Sequence, residues 1–161
     1  MEIHDRFVIS EYDYWRVNHR VNSALPGYLM LASTLAVDNL SQLPDAALTE
    51  LGPLLARVQA ALLMKLKPER VYIGRYGHSP GYPIHFHLIP VYGWVEKLFW
   101  YDKRYRLLQK FSEKKQKTTT DGAELTLFIW REFCERSSPP PIQGLSVDQT
   151  ITLLRQALAT P

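Results

Sequence analysis

His85 and His87 are separated by one residue in the run Gly81-Tyr82-Pro83-Ile84-His85-Phe86-His87-Leu88-Ile89-Pro90. Alternate residues of an extended strand point to the same side. On a strand the two imidazoles therefore share a face, while Ile84, Phe86 and Leu88 turn the other way into a core. A neutral imidazole can attack phosphorus or pass a proton near pH 7, because its reference pKa lies close to that pH. A nucleophilic histidine would form a covalent phosphoamide and split one hard displacement into two easier ones. A neighbouring ring on the same face could donate a hydrogen bond to the phosphate or to a leaving group. A bare pair of this kind is also compatible with two histidines on a solvent-facing strand. The residues just upstream sharpen the reading. Gly74, Gly77, Ser79 and Gly81 let backbone amides approach an anion, and Ser79 adds a hydroxyl donor.

The elements that must hold this pair are legible as periodicity. Phe7-Val8-Ile9 and Tyr12 to Val17 read as two short strands joined by a turn near Ser10 to Asp13. Pro26-Gly27 marks a turn ahead of a buried strand over Tyr28 to Ala32. Ser41 to Asp45 has helix-start character, with Pro44 at an early helical position. Leu48, Leu51, Leu55, Val58 and Leu62 recur at spacings of three and four, so Asp45 to about Leu66 is an amphipathic helix. Gly52-Pro53 predicts a kink or restart within it, and Pro68 ends it. Val71-Tyr72-Ile73 reads as a strand, Gly74 to Pro83 as a loop, and Ile84 to Tyr92 as the histidine-bearing strand. Helices are expected over Lys97 to Lys110, Ala123 to Glu135 and Ser146 to Leu158, the last capped by Ser146. The order of strands and helices points to an α+β fold.

The stretch from Val71 to Tyr92 resembles the histidine triad superfamily of nucleotide hydrolases and transferases. That family carries His-φ-His-φ-His-φ-φ, often followed by proline, on a strand after a glycine-containing loop. Leu88-Ile89-Pro90 places His87 at the third family histidine and His85 at the middle one, the family's nucleophile. Asn22 through Ala32, with Pro26-Gly27 ahead of an apolar strand, resembles the family's early Asn…Pro-Gly-φ-φ-φ segment. The likeness spans roughly Trp15 to Tyr92. It departs from the pattern at Pro83, where the family has its first histidine, and in lacking the glutamine common in the phosphate loop. His78 could fold back and supply a lost donor.

The resemblance implies an antiparallel sheet with a long helix on one face, additional C-terminal helices, and a homodimer. It implies cleavage of a phosphoanhydride or phosphoramidate bond on a nucleotide or dinucleotide, with His85 and His87 catalytic and no cofactor needed for the covalent step. Asn22, Tyr28, His78, Ser79 and Gly81 are the expected substrate-binding residues. The expected division is 1–111 for this domain, 112–122 for a basic linker, and 123–161 for a helical extension packed on it. A protein that binds nucleotides without catalysis is the alternative that Pro83 favours.

The bulk properties fit one compact domain. The chain has 161 residues, 46% of them apolar, and a formal charge of +3. That excess suits an anionic small ligand and is too small to argue for nucleic acid. Basic residues from Lys103 to Lys117 alternate with Tyr101 and Tyr105, which could suit RNA, although a solvated helix face explains them more simply. The single cysteine, Cys134, excludes an internal disulfide and is expected to pack. His4 and His19 are expected to be structural, at the surface or half-buried. A metal site would need a third ligand such as His78 or Glu96 beside the pair, and the glutamate a cupin-like spacing requires is replaced by Val91 and Tyr92. No basic start precedes an apolar stretch at the N-terminus, and no uninterrupted apolar run spans a membrane, so a cytoplasmic protein is expected.

Overall fold

The computed structural model describes residues 3–76, 82–105 and 122–159. Among them five strands form one antiparallel sheet: β1 (Val8–Glu11), β2 (Trp15–His19), β3 (Leu29–Ser33), β4 (Arg70–Gly74) and β5 (His85–Val91), in the order β1-β2-β3-β5-β4. The long helix α1 (Asp45–Leu66) links β3 to β4, α2 (Gly93–Tyr101) follows β5, and α3 (Gly122–Ile129) and α4 (Val147–Leu158) complete the fold. The fold class is therefore α+β with an antiparallel sheet, a long helix and C-terminal helices, as the sequence implies.

The period-two pattern of β2, β3 and β5 builds the first core. Trp15, Val17, Leu29, Leu31 and Leu88 pack against Leu54, Val58 and Leu62 of α1 and against Ile151, Leu154 and Leu158 of α4. The Trp15 indole N–H donates to the Ala47 carbonyl at 3.0 Å and ties the sheet to α1. Arg155 of α4 donates to the carbonyls of Asp5, Arg6 and Val8 beside β1.

The opposite face is covered too, by helices that follow β5. Ile89 and Val91 of β5 join Val95 and Phe99 of α2 and Leu125, Phe128 and Ile129 of α3 in a second core. Leu88 through Val91 are all buried, because this half of β5 is enclosed on both sides.

Three helices differ from their expected form. α1 runs through Pro53 as a single helix with no restart. Pro53 lies on the solvent side, where water can serve the Thr49 carbonyl that proline leaves without its usual partner. α2 starts and stops earlier than expected. Tyr92 precedes its first turn, and the Asp102 amide closes it onto Leu98 and Phe99; residues 106–110 of the expected helix and 112–121 of the expected linker lie outside the described residues. The helix expected over 123–135 begins at Gly122 and widens after Ile129 into a π-helical turn, Trp130–Glu135. α4 agrees with its expected cap: Ser146 Oγ accepts from the Gln149 amide at 3.2 Å, and Gln149 Oε1 accepts from the Ser146 amide at 2.9 Å.

α1 is also long and apolar enough to cross a bilayer, with 22 residues and a mean hydropathy of 1.2 over its most apolar 18. Glu50, Arg57 and Lys65 interrupt it, so no unbroken apolar run marks it in the sequence. Its apolarity serves the core, where Ala47, Leu54, Val58, Ala61 and Leu62 are buried.

Candidate functional site

β5 delivers both histidines to one face of the sheet, with ring centroids 5.2 Å apart. Across the ladder, Ala32 lies opposite His85, and Met30 and Gly74 flank His87. The small residues leave room around the rings. A Cβ on Gly74 would meet the Tyr76 ring at 2.6 Å. Glycine there lets Tyr76 fold back, edge-on to His87, with centroids 5.4 Å apart.

His85 is half-buried, and its Nδ1 lies 2.9 Å from the Pro83 carbonyl. A carbonyl only accepts, so Nδ1 carries the ring proton and Nε2 keeps its lone pair. Pro83 thus supplies a backbone acceptor at the position where the resembled family has an imidazole.

His87 is 6% exposed. Its Nε2 approaches the Tyr76 carbonyl at 3.4 Å, and its Nδ1 lies 2.9 Å from the Tyr28 hydroxyl. Burial, then the Arg20 guanidinium and His85, push its pKa down to about 4. The ring is neutral at physiological pH, so the pair can combine a nucleophilic nitrogen with an uncharged donor.

Tyr28 is 1% exposed, and its hydroxyl accepts from Arg20 Nη1 at 2.7 Å. Burial raises its pKa to about 12, so it keeps its proton. Asn22, exposed, accepts from Arg20 Nε through Oδ1 at 2.9 Å. Four expected site residues, His85, His87, Tyr28 and Asn22, are thereby brought into one network. His78, Ser79 and Gly81 lie outside the described residues.

Arg20 and Tyr76 are the members that sequence reasoning misses. Arg20 could have been found by extending the two-residue alternation of β2 one step, since its amide still pairs with the Tyr28 carbonyl. Asn18 lies on the same face, opposite Met30, and its Oδ1 is buried without a hydrogen-bond partner among the described residues.

The other candidates serve structure. His19 is fully buried, contrary to the expectation of a surface or half-buried position. Its nitrogens lie 3.0 Å from the Arg20 and Leu25 carbonyls, pinning the turn that leads to Tyr28, and burial pushes its pKa below the usual value. His4 is exposed and its Nδ1 accepts from the Arg6 amide at 3.2 Å. Glu96 is held by Arg70 at 2.8 Å, and Arg70 pairs with Val91 at the other end of β5 from the histidines. No group of three potential metal ligands occurs among the described residues. Tyr105 is buried and donates to Glu132, so it offers no face to a base. A cleft of about 550 Å³ lies beside it, but its arginines are matched by carboxylates: Arg104 and Arg136 by Glu132, and Arg131 by Glu135.

No protein-family model and no curated protein matches the chain. Solved structures do. A hypothetical histidine triad nucleotide-binding protein from Sulfolobus tokodaii is 12% identical, with 95% of this chain and 83% of that one covered and a TM-score of 0.52. Diadenosine triphosphate hydrolase of Plasmodium falciparum is 16% identical, covering 71% and 82%, with a TM-score of 0.52. The NitFhit protein of C. elegans is 19% identical over 56% of this chain, with a TM-score of 0.51; the match spans 23% of that longer protein. At such identities the likeness is one of fold.

Proposed function

Starting from a chain with the histidine triad fold, we propose that this protein is a nucleotide hydrolase or transferase working through a covalent nucleotidyl-histidine. The observation that carries the reading is the Pro83 carbonyl on His85 Nδ1, 2.9 Å away, which leaves the Nε2 lone pair for attack. His85 Nε2 bonds to the α-phosphorus as the phosphoanhydride or phosphoramidate bond breaks, and the leaving group departs with that electron pair, a phosphate as its anion and an amine after its nitrogen has taken a proton from water. The substituted ring is cationic, and the Pro83 carbonyl stabilises it through the Nδ1 proton. His87 exchanges the 3.4 Å contact of its Nε2–H with the Tyr76 carbonyl for a phosphoryl oxygen as charge builds there. Water, or another acceptor in a transfer, then attacks phosphorus and gives up its proton to solvent, the P–N bond breaks, and its electron pair returns to Nε2. In this reading Asn22, exposed next to Arg20, faces the nucleotide, and His78, Ser79 and Gly81 are proposed as its phosphate-binding residues. The same reading takes the protein as a cytoplasmic homodimer, which light scattering and cell fractionation test.

The deciding experiment uses a fluorogenic adenosine phosphoramidate and a dinucleoside polyphosphate as substrates. Wild type is expected to turn over and to yield a phosphohistidine adduct on quenching, while His85→Ala and His85→Asn lose at least about a hundredfold. Equal turnover by the variants would remove His85 as nucleophile. The second reading, a nucleotide binder without catalysis, is favoured by Pro83, since no imidazole stands there. Saturable nucleotide binding by calorimetry with neither product nor adduct selects it.

A further inference from the structure

We propose that Arg20 and Tyr28 are a positioning pair that holds His87 in its Nε2–H form, and that Trp130 of the C-terminal segment holds Arg20 in place. An arginine only donates, so the 2.7 Å contact from Nη1 uses a lone pair of the Tyr28 oxygen. The phenol proton must then go elsewhere, and His87 Nδ1, 2.9 Å away, is its acceptor among the described residues. Nδ1 therefore bears a lone pair and the ring proton sits on Nε2, facing the Tyr76 carbonyl. The other tautomer would bury a hydroxyl proton without an acceptor and set the Nε2 lone pair against a carbonyl oxygen. Each fault leaves a buried polar group without its partner, which a buried site disfavours.

Arg20 is fixed from three sides. Its Nε donates to Asn22, and its guanidinium lies over the rings of Tyr28 and Trp130, 5.0 and 5.5 Å from their centroids. None of the ion pairs among the described residues includes it. Its charge is therefore left to act on the imidazole behind Tyr28, where it disfavours protonation. Trp130 opens the π-helical turn, and the same turn accepts the Ala24 amide at the Phe133 carbonyl, 2.8 Å away. The C-terminal segment thus fastens the 20–28 turn at two points and reaches His87 through it.

The structural claim stands on geometry alone; its catalytic consequence rests on the proposed nucleotidyl transfer. Two readouts separate them. Imidazole nitrogen shifts in ¹⁵N-labelled protein at pH 7 report the tautomer directly. Wild type is expected to show His87 protonated at Nε2. Tyr28→Phe, which keeps the ring and its burial, is expected to give a mixed or Nδ1–H population. Arg20→Met is expected to move the same resonances and Arg20→Lys to restore them in part; Trp130→Leu is expected to move them in the direction of Arg20→Met. Backbone amide spectra check that each variant is folded. In turnover, Tyr28→Phe is expected to lower kcat about a hundredfold with KM changed less than about twofold. A wild-type Nδ1–H ring, or His87 shifts unmoved in folded Tyr28→Phe and Arg20→Met, overturns the proposal. So does full kcat in a Tyr28→Phe protein whose tautomer has changed. Static shifts in Trp130→Leu remove Trp130 from it. If no variant and no wild-type sample turns over any substrate, the functional reading fails, and the nitrogen shifts still decide the positioning.

Discussion

A histidine that titrates near 4 in the folded protein and near 6.5 in the unfolded chain links stability to acidity. Between those values the unfolded chain binds a proton that the native state refuses. Stability from this source is complete above pH 6.5 and falls as pH drops toward 4, by about 3 kcal/mol in all. His19, also pushed below its usual value, works in the same direction. Urea midpoints at pH 7 and 4.5 are expected to differ markedly in wild type and less in His87→Gln; an equal drop would show that His87 titrates normally. At this scale the sequence reveals His85 and His87, because a period of two puts both on one face whatever surrounds them. It does not reveal Arg20, whose role depends on a neighbour eight residues away across a turn, or Pro83, whose contribution is a carbonyl rather than a side chain.

The turn before β3 is set by one residue. Gly27 has a φ of +79°, and the Tyr28 amide closes back on the Leu25 carbonyl at 3.3 Å. A Cβ there would lie 2.5 Å from Leu66 Cδ1. Gly27→Ala is expected to cost about 1–3 kcal/mol from backbone conformation, before any shift of α1. The loss is read as a lower urea midpoint, and because Tyr28 is the next residue, the His87 nitrogen shifts should move as well. An unchanged midpoint would mean that the turn relaxes. Strand elements were readable because alternation survives in β2 and β3. α2 was misplaced because Trp94 and Val95 belong to its core-facing side, while Asp102, which closes the helix with its amide and takes Arg104 with its carboxylate, has no strong stop residue beside it. The π-helical turn left no mark in the sequence: an inserted residue changes the phase of the pattern without changing the types of residue that compose it.

Across the whole molecule, the segment from Gly122 to Leu158 closes both cores. α3 and the π-helical turn bring Leu125, Phe128, Ile129 and Phe133 to one face, and α4 brings Ile151, Leu154 and Leu158 to the other. Leu154 is fully buried, and Leu154→Ala is expected to cost about 2–5 kcal/mol in denaturant titration. Leu145→Ala, at a position 41% exposed, is expected to stay within about 0.5 kcal/mol. Comparable losses at both sites would mean that α4 is not part of the core. The α+β layering was legible from element order, and the second covered face was signalled only by the unbroken apolar run from Leu88 to Val91.

Arg155 gives the sheet a polarity of assembly. Its guanidinium occupies the carbonyl of Val8, the first residue of β1, and those of Asp5 and Arg6 just before it, and α4 packs against that strand, so the start of the β1 border is guarded within the chain. The remaining border, β4, has no strand beyond it among the described residues. A sheet guarded along one margin is protected there from the runaway stacking that a bare strand invites.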